Sequence, residues 1–174
     1  ATERYITAIQ ARDLDVDLMC QRQSHSVLMG FDFHITPEGP RLIEINTNAG
    51  GAFLSKKIAD TGSGCLVSGA PSQSFTELML DDALVSMFLE EWHSVRPNQQ
   101  LRMIAIVDDD PEHQYLYPDM VLAAELLNAH GIRAVISDPS ALELRDGKLW
   151  HGDETVDMVY NRLTDFRLEA ALNR

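Results

Sequence analysis

Two short stretches in the first third of the chain, FDFHI and RLIEIN within residues 30–46, alternate between apolar and polar residues. Alternation with a period of two predicts β-strands, and Pro-Glu-Gly-Pro at 37–40 supplies a turn between them. In this hairpin Asp32 lies on one face of the first strand, while Glu44 and Asn46 share one face of the second. The pattern predicts that folding the hairpin gathers two carboxylates and one amide at one place.

Apolar residues recur at steps of three and four in two other segments. Residues 75–95, FTELMLDDALVSMFLEEWHSV, predict an amphipathic helix with Ser74 or Thr76 as its N-cap and Pro97 beyond its end. Residues 2–23 show a weaker helical spacing and are also predicted to form a helix.

The segment between the hairpin and the long helix, residues 48–74, is rich in Gly and Ser, and this composition predicts a loop. Gly50 and Gly51 in this segment allow backbone N–H groups to approach a phosphate or a carboxylate closely. The simpler interpretation is a flexible connector, in which Lys56 and Lys57 are a solvated pair.

From Leu101 onward the pattern is that of an α/β fold. The apolar runs RMIAIVDD and IRAVISD flank a predicted helix at 112–130 that ends at Gly131, which makes a βαβ unit with parallel strands. LELRDGKLWHG predicts a hairpin on an Asp-Gly turn, and VDMVYNR predicts a third buried strand. Residues 108–110, all Asp, therefore face the same crevice as Asn161 and Arg162 beyond the carboxyl ends of the strands. A turn or a helix cap is the simpler interpretation of the three aspartates.

The composition of the chain limits the classes of molecule that it is expected to bind. The chain has 174 residues, a formal net charge of −13 and a pI near 4.7, so nucleic acid and anionic membranes are excluded as expected partners. The sequence contains neither an apolar run of membrane-spanning length nor a signal-peptide pattern, so a cytoplasmic location is expected. Two cysteines, Cys20 and Cys65, support neither a zinc site nor a disulfide framework.

The predicted cluster on the hairpin has the chemistry of a magnesium site. Asp32, Glu44 and Asn46 offer hard oxygen donors, and Mg²⁺ binds through one or two carboxylates while sharing its other positions with water and phosphates. An amphipathic hairpin with a solvated polar face is the alternative that the alternation leaves open.

Residues 30–51 also resemble the metal-binding end of the ATP-grasp ligases, in which an acidic residue on one strand precedes Glu-x-Asn-Thr and a Gly on the next. The matching residues are Asp32, Glu44, Asn46, Thr47 and Gly50. In this chain that end precedes the α/β unit, an order that resembles the circularly permuted branch of the family, which includes eukaryotic-type glutathione synthetase and relatives of glutathionylspermidine synthetase.

The resemblance implies a fold class, a domain order and a reaction. The fold is α/β, with the hairpin-containing edge of an ATP-grasp domain at 1–73, a connecting helix at 74–97 and a Rossmann-like, parallel-sheet substrate domain at 98–174. The implied reaction joins a small-molecule carboxylate to an amine through an acyl phosphate, with Mg²⁺ as cofactor and ATP as co-substrate. The main ATP pocket is expected after residue 174, so the chain alone is expected to be inactive. The sequence leaves open whether the chain forms a homodimer.

The resemblance also assigns roles to residues. The implied metal ligands are Asp32, Glu44 and Asn46. The implied nucleotide-binding residues are Thr47, Gly50 and Gly51. Arg162 matches a catalytic arginine that binds the substrate anion, and the other implied substrate-binding residues are Asn48, Asn161 and Asp165. An ion pair between Arg162 and either Asp157 or Asp165 is the simpler interpretation of that arginine.

The sequence departs from the glutathione enzyme at positions that matter for the substrate. Asn48 and Ala49 stand where that enzyme has serines, and Asp165 stands where it has an aromatic residue, so glutathione precursors are disfavoured as substrates.

The sequence leaves two other classes of function open. MIAIVDDDPEHQ is similar to the start of a bacterial receiver domain, but the later strand that should end in a phosphoacceptor Asp ends in Asn161 and Arg162. A non-catalytic α/β domain that binds a small molecule is the other alternative.

Overall fold

A computed structural model of the chain describes residues 28–62 and 73–164, with side chains described at 28–60 and 80–164. The predicted helix at 2–23 and the predicted substrate residue Asp165 lie outside this part.

Two strands form a hairpin, β1 (Gly30–Thr36) and β2 (Gly39–Asn46), and two helices follow, α1 (Ala52–Gly62) and α2 (Gln73–Val95). The next elements are β3 (Met103–Val107), α3 (Tyr117–Ala129) and β4 (Arg133–Ser137). The last four strands are β5 (Leu142–Arg145), β6 (Lys148–His151), β7 (Glu154–Val156) and β8 (Met158–Asn161). The fold is mixed α/β, as predicted.

The predicted hairpin is present. β1 and β2 pair antiparallel around a turn at residues 37–38, and Gly39 begins the second strand at φ 114°, a conformation that favours glycine. The register shifts after the pair Asp32–Glu44, so that Ile43 is the extra residue of a β-bulge. The face opposite Asp32 and Glu44 carries exposed apolar side chains: Phe31, Phe33, Ile35, Leu42 and Ile45.

The three predicted parallel strands form one sheet in the order β4-β3-β8. β3 lies at its centre and is fully buried, because apolar side chains cover both of its faces. One face packs against the helices, with a core that includes Phe53 of α1, Phe88 of α2, Ile106 of β3 and Leu127 of α3. On the other face Ala105 and Val107 pack with Leu163 and with apolar residues of β5 and β7. The apolar runs therefore predicted the central sheet correctly.

Part of the predicted Gly- and Ser-rich loop is instead the helix α1, so that prediction was wrong for residues 52–62. The helix forms because Phe53 is buried in the core and because its first backbone amides find acceptors across the fold. Lys56 is not solvated as predicted, since its ammonium lies 2.7 Å from Asp60 and 2.9 Å from Asp81. The hydrogen bond that Lys56 donates to Asp60 raises the pKa of Lys56.

The helix predicted at 112–130 is shorter at its start. Residues 111–113 form a 3₁₀ turn and α3 begins at Tyr117, because Pro118 is accommodated in a first turn but not in a helix interior. Its end agrees with the prediction, since Gly131 follows at φ 77°. α2 begins at Gln73, so the proposed N-caps Ser74 and Thr76 lie within the helix.

The predicted hairpin on Asp146 and Gly147 is confirmed, and both residues have positive φ. A third strand, β7, extends it to a meander in the order β5-β6-β7. The run VDMVYNR is divided between two sheets, because Val156 ends β7 and Met158 begins β8. Asp157 between them accepts hydrogen bonds from the backbone N–H groups of Arg102 and Met103.

Across the described parts of the chain, α-helices long and apolar enough to span a bilayer are absent.

Candidate functional site

The hairpin places the two predicted carboxylate ligands side by side. Asp32 lies directly opposite Glu44 across β1 and β2, so both side chains project from the same face. Asn46 follows Glu44 by two residues on the same strand and shares that face. All three are exposed, which leaves room for water and for phosphate oxygens around a bound ion.

This donor set fits Mg²⁺ in number and in type. Two carboxylates and one amide oxygen are hard donors, and Mg²⁺ uses one or two carboxylates in proteins. Among the side chains described, those of residues 28–60 and 80–164, no group of three or more from His, Cys, Asp or Glu is arranged to hold a metal ion. A site on the hairpin therefore takes its remaining ligands from Asn46, water or substrate, and metal binding there stays a prediction.

The turn after β2 is organised by Asn46 itself. Its side-chain oxygen accepts the backbone N–H of Asn48 at 3.0 Å, which closes an Asx turn around Thr47. The backbone N–H of Ala49 then donates to the carbonyl of Leu28 at 3.3 Å. The predicted ligand Asn46 thus also sets the course of the glycine loop, by which we mean residues 48–51.

Arg162 brings the glycine loop to the parallel sheet. It follows β8 directly, its backbone N–H donates to Val107 at 2.8 Å, and it is only 8% exposed. Its Nη1 donates to the side-chain oxygen of Asn48 and to the carbonyl of Ala49, both at 2.8 Å. The guanidinium also lies over the ring of Tyr160, with Cζ 5.5 Å from the ring centre.

These contacts test only part of what the sequence predicted for Arg162, because Asp165 lies outside the described residues. The carboxylate of Asp157 is used by Arg102 and Met103, so an ion pair between Asp157 and Arg162 is not formed. Arg162 does follow the carboxyl end of β8, the edge at which the crevice was predicted, but one of its terminal nitrogens is engaged by the glycine loop. Its role toward a substrate anion stays a prediction.

Gly50 is the position of closest approach in the loop. A Cβ at this residue would lie 2.5 Å from Nη2 of Arg162 and 2.5 Å from Cδ1 of Leu116. Only glycine therefore fits between these two side chains without displacing them.

Asp119 is the residue that the sequence analysis missed. Its Oδ2 accepts the N–H of Gly51 at 3.1 Å, its Oδ1 accepts the N–H of Leu54 at 2.8 Å, and it is 3% exposed. The one signal in the sequence is an acid in the first turn of a helix after Pro118, and that signal ordinarily indicates a local interaction with the helix. The N–H of Gly51, which was predicted to approach a phosphate or a carboxylate, is thus paired with the carboxylate of Asp119.

The three aspartates after β3 have separate environments. Asp108 is buried, and burial raises its pKa, although the N–H of Asp109 and the positive charge of Arg162 oppose that rise. Asp110 has φ 43° and precedes the 3₁₀ turn without capping it through its side chain. Its carboxylate instead lies 2.9 Å from Nδ1 of His113, and this hydrogen bond raises the pKa of His113.

The other two strands of the sheet also end in polar residues. Beyond β4, the hydroxyl of Ser140 donates to Asp138 and lowers the pKa of that carboxyl. At the end of β8, the side-chain oxygen of Asn161 accepts the N–H of Leu163 at 2.9 Å. A turn, the simpler interpretation of the three aspartates, fits Asp110, which directly precedes the 3₁₀ turn at residues 111–113, whereas Asp108 is buried.

Two groups of residues emerge from this geometry. Asp32, Glu44 and Asn46 lie on the polar face of the hairpin, which also carries His34 and Arg41, and we call these first three residues the metal edge. Arg162 and Asp119 meet the glycine loop from the parallel-sheet side. Asn46 connects the two groups through its hydrogen bond to Asn48.

Comparison with models of known protein families gives no match for this sequence, and comparison with curated proteins gives none either.

Proposed function

We propose that this chain supplies the metal edge and the substrate-binding α/β domain of an ATP-dependent carboxylate–amine ligase of the ATP-grasp type. The observation that carries the proposal is the pairing of Asp32 with Glu44, two residues before Asn46 on the same strand. The loop that follows this hairpin is hydrogen-bonded to Arg162 at the carboxyl end of the parallel sheet. Metal-dependent chemistry and substrate binding would then meet at residues 48–51.

The electrostatics of the hairpin support a cation site. Like charges directly opposite one another destabilise a sheet, so the pairing of Asp32 with Glu44 has a cost that a bound cation would remove. Mg²⁺ bound there would neutralise the charge of nucleotide phosphates during phosphoryl transfer. The exposed position of both carboxylates suits an ion that keeps several water or phosphate ligands.

The geometry of the sheet supports a substrate site nearby. In open parallel sheets, ligands bind beyond the carboxyl ends of the strands, and here that edge carries Asp108, Asn161 and Arg162. The proposed reaction transfers a phosphoryl group to a carboxylate, after which an amine attacks the acyl carbon and phosphate leaves. Arg162 is the buried cation at this edge that can attract the carboxylate, through the part of its guanidinium that Asn48 and Ala49 do not use.

The metal edge is tested directly by titration with Mn²⁺, a spectroscopically visible substitute for Mg²⁺. We expect wild type to bind Mn²⁺ and Glu44→Gln to lose most of that affinity, because the variant keeps the shape of the side chain but removes its charge. Glu38→Gln, in the exposed turn of the same hairpin, is the matched control and should bind as wild type does. Equal binding by wild type and Glu44→Gln would contradict the assignment.

The ligase activity is tested in the full-length protein by ADP release. We expect release that requires both a carboxylate and an amine, and we expect Glu44→Gln to abolish it while Glu38→Gln does not. If the full-length protein binds a small molecule but releases no ADP with each carboxylate and amine pair tested, a non-catalytic binding domain describes the chain better than a ligase does.

A further inference from the structure

Asp119 occupies an unusual position between two helices. It lies in the first turn of α3, yet both of its carboxylate oxygens accept N–H groups from the start of α1, those of Gly51 and Leu54. A buried carboxylate is costly unless its oxygens are hydrogen-bonded, and these two amides supply that compensation at 3.1 and 2.8 Å. The contact spans 68 residues of sequence, from Gly51 to Asp119, so it fixes one part of the fold against another.

The same contact decides what the beginning of α1 can bind. Unpaired amides at a helix N-terminus attract anions, and a carboxylate from the protein fills that position here. A nucleotide phosphate is therefore excluded from the amides of Gly51 and Leu54 while Asp119 holds them. Phosphate binding is left to the metal edge on the other side of the loop.

We propose that Asp119 is a positioning residue that holds the glycine loop, and through it the metal edge, in register with the parallel sheet. Asp119 fixes the loop at Gly51, and Arg162 fixes it at Asn48 and Ala49. Asn48 in turn donates its N–H to Asn46, so a displaced loop changes the orientation of an implied metal ligand. The metal part of this inference rests on the proposed function, while the loop part rests on the hydrogen bonds alone.

The test compares Asp119→Asn with wild type by hydrogen exchange and by Mn²⁺ titration. An Asn at 119 offers one acceptor and one NH₂ group, so it satisfies one of the two amides and places a donor against the other. Asp119→Ser, which keeps a single short acceptor, is the second variant. Glu125→Gln removes an exposed acid from the same helix and is the matched control.

We expect the amides of Gly51 and Leu54 to exchange about ten-fold faster or more in Asp119→Asn, while the amides of β3 keep their protection. We expect Mn²⁺ affinity to fall by about ten-fold, as for outer residues that orient metal ligands. Glu125→Gln should change neither quantity. The thermal unfolding midpoint of each variant shows that the protein titrated is folded.

Other outcomes separate this inference from the proposed function. Unchanged exchange at Gly51 and Leu54 would overturn the positioning role, and so would faster exchange that extends equally to β3 or failure of both variants to fold. Local loosening without a change in the Mn²⁺ affinity of the variant would overturn the coupling to the metal edge. Absence of Mn²⁺ binding by wild type would overturn the proposed function, whereas the exchange rates would still decide the role of Asp119 in the loop.

Discussion

Arg162 and Asn48 lie 114 residues apart in the sequence, yet Nη1 of the arginine is 2.8 Å from the side-chain oxygen of the asparagine. Asn48 also donates its backbone N–H to the side chain of Asn46, at 3.0 Å. Asn48 therefore links the buried Arg162, at the end of β8, to Asn46, an implied metal ligand on the hairpin. A change at Arg162 is expected to reach the metal edge through Asn48.

The first prediction concerns Arg162→Met, which keeps an apolar stem and removes the guanidinium. The oxygens of Asn48 and Ala49 lose their donor, and a half-buried acceptor left unpaired costs roughly 1–3 kcal/mol. Urea denaturation should show that loss in the free energy of unfolding. The matched control is Arg96→Met, because Arg96 is exposed after the end of α2. Equal losses in the two variants would mean that the contact to the loop stabilises nothing.

The sequence predicted the parallel sheet because each of its strands has a recognisable local pattern of residues. A strand buried on both faces must be continuously apolar, and β3, which is fully buried, reads as such a run in MIAIV. The sequence of α1 has no comparable pattern. Five glycines and five serines dominate the composition of residues 48–74 around it, whereas its stability depends on the burial of Phe53 and on Asp119, which are tertiary features.

The second prediction uses Gly50→Ala. The new methyl group would meet Arg162 and Leu116 at 2.5 Å, and displacing these side-chain ends is expected to cost about 1–3 kcal/mol. The same substitution in a Leu116→Ala background should cost less, since one of the two obstacles is gone. A double-mutant cycle from thermal or urea denaturation measures the difference. Additive losses would show that Leu116 does not restrict this position.

The candidate site was predictable in part, for a related reason. Alternation along each strand was sufficient to place Glu44 and Asn46 on one face of β2, because a period of two is a local property. It did not reveal the bulge at Ile43, which shifts the register so that Asp32 lies opposite Glu44 and on the same face. The partners of Arg162 could not be predicted, because their identity depends on how the hairpin meets the sheet.

The third prediction compares the hairpin with and without a cation. Asp32→Asn removes one of two like charges that face each other, so the metal-free hairpin should gain about 0.2–1 kcal/mol. Hydrogen exchange of the β1 and β2 amides in the presence of a chelator measures that gain. With saturating Mn²⁺ the order should reverse, because only wild type keeps both carboxylates. An unchanged order under both conditions would argue for a solvated polar face without a metal.

The last prediction concerns Asp108 and pH. Burial raises the pKa of this carboxyl in the folded protein, while in an unfolded chain an Asp has a pKa of about 3.9. The folded state then binds the proton more tightly, so the contribution of Asp108 to stability is fully present below about pH 4 and is lost as the pH rises through the raised pKa. Asp108→Asn is neutral throughout, so wild type should lose stability relative to this variant over that window and keep a constant difference above it.

Urea denaturation of both proteins across the acidic and neutral range measures the difference, with Asp153→Asn in the exposed turn before β7 as the control. The opposite slope, in which wild type gains stability relative to Asp108→Asn as the pH rises, would show that the attraction of Arg162 outweighs the cost of burial at this edge of the sheet.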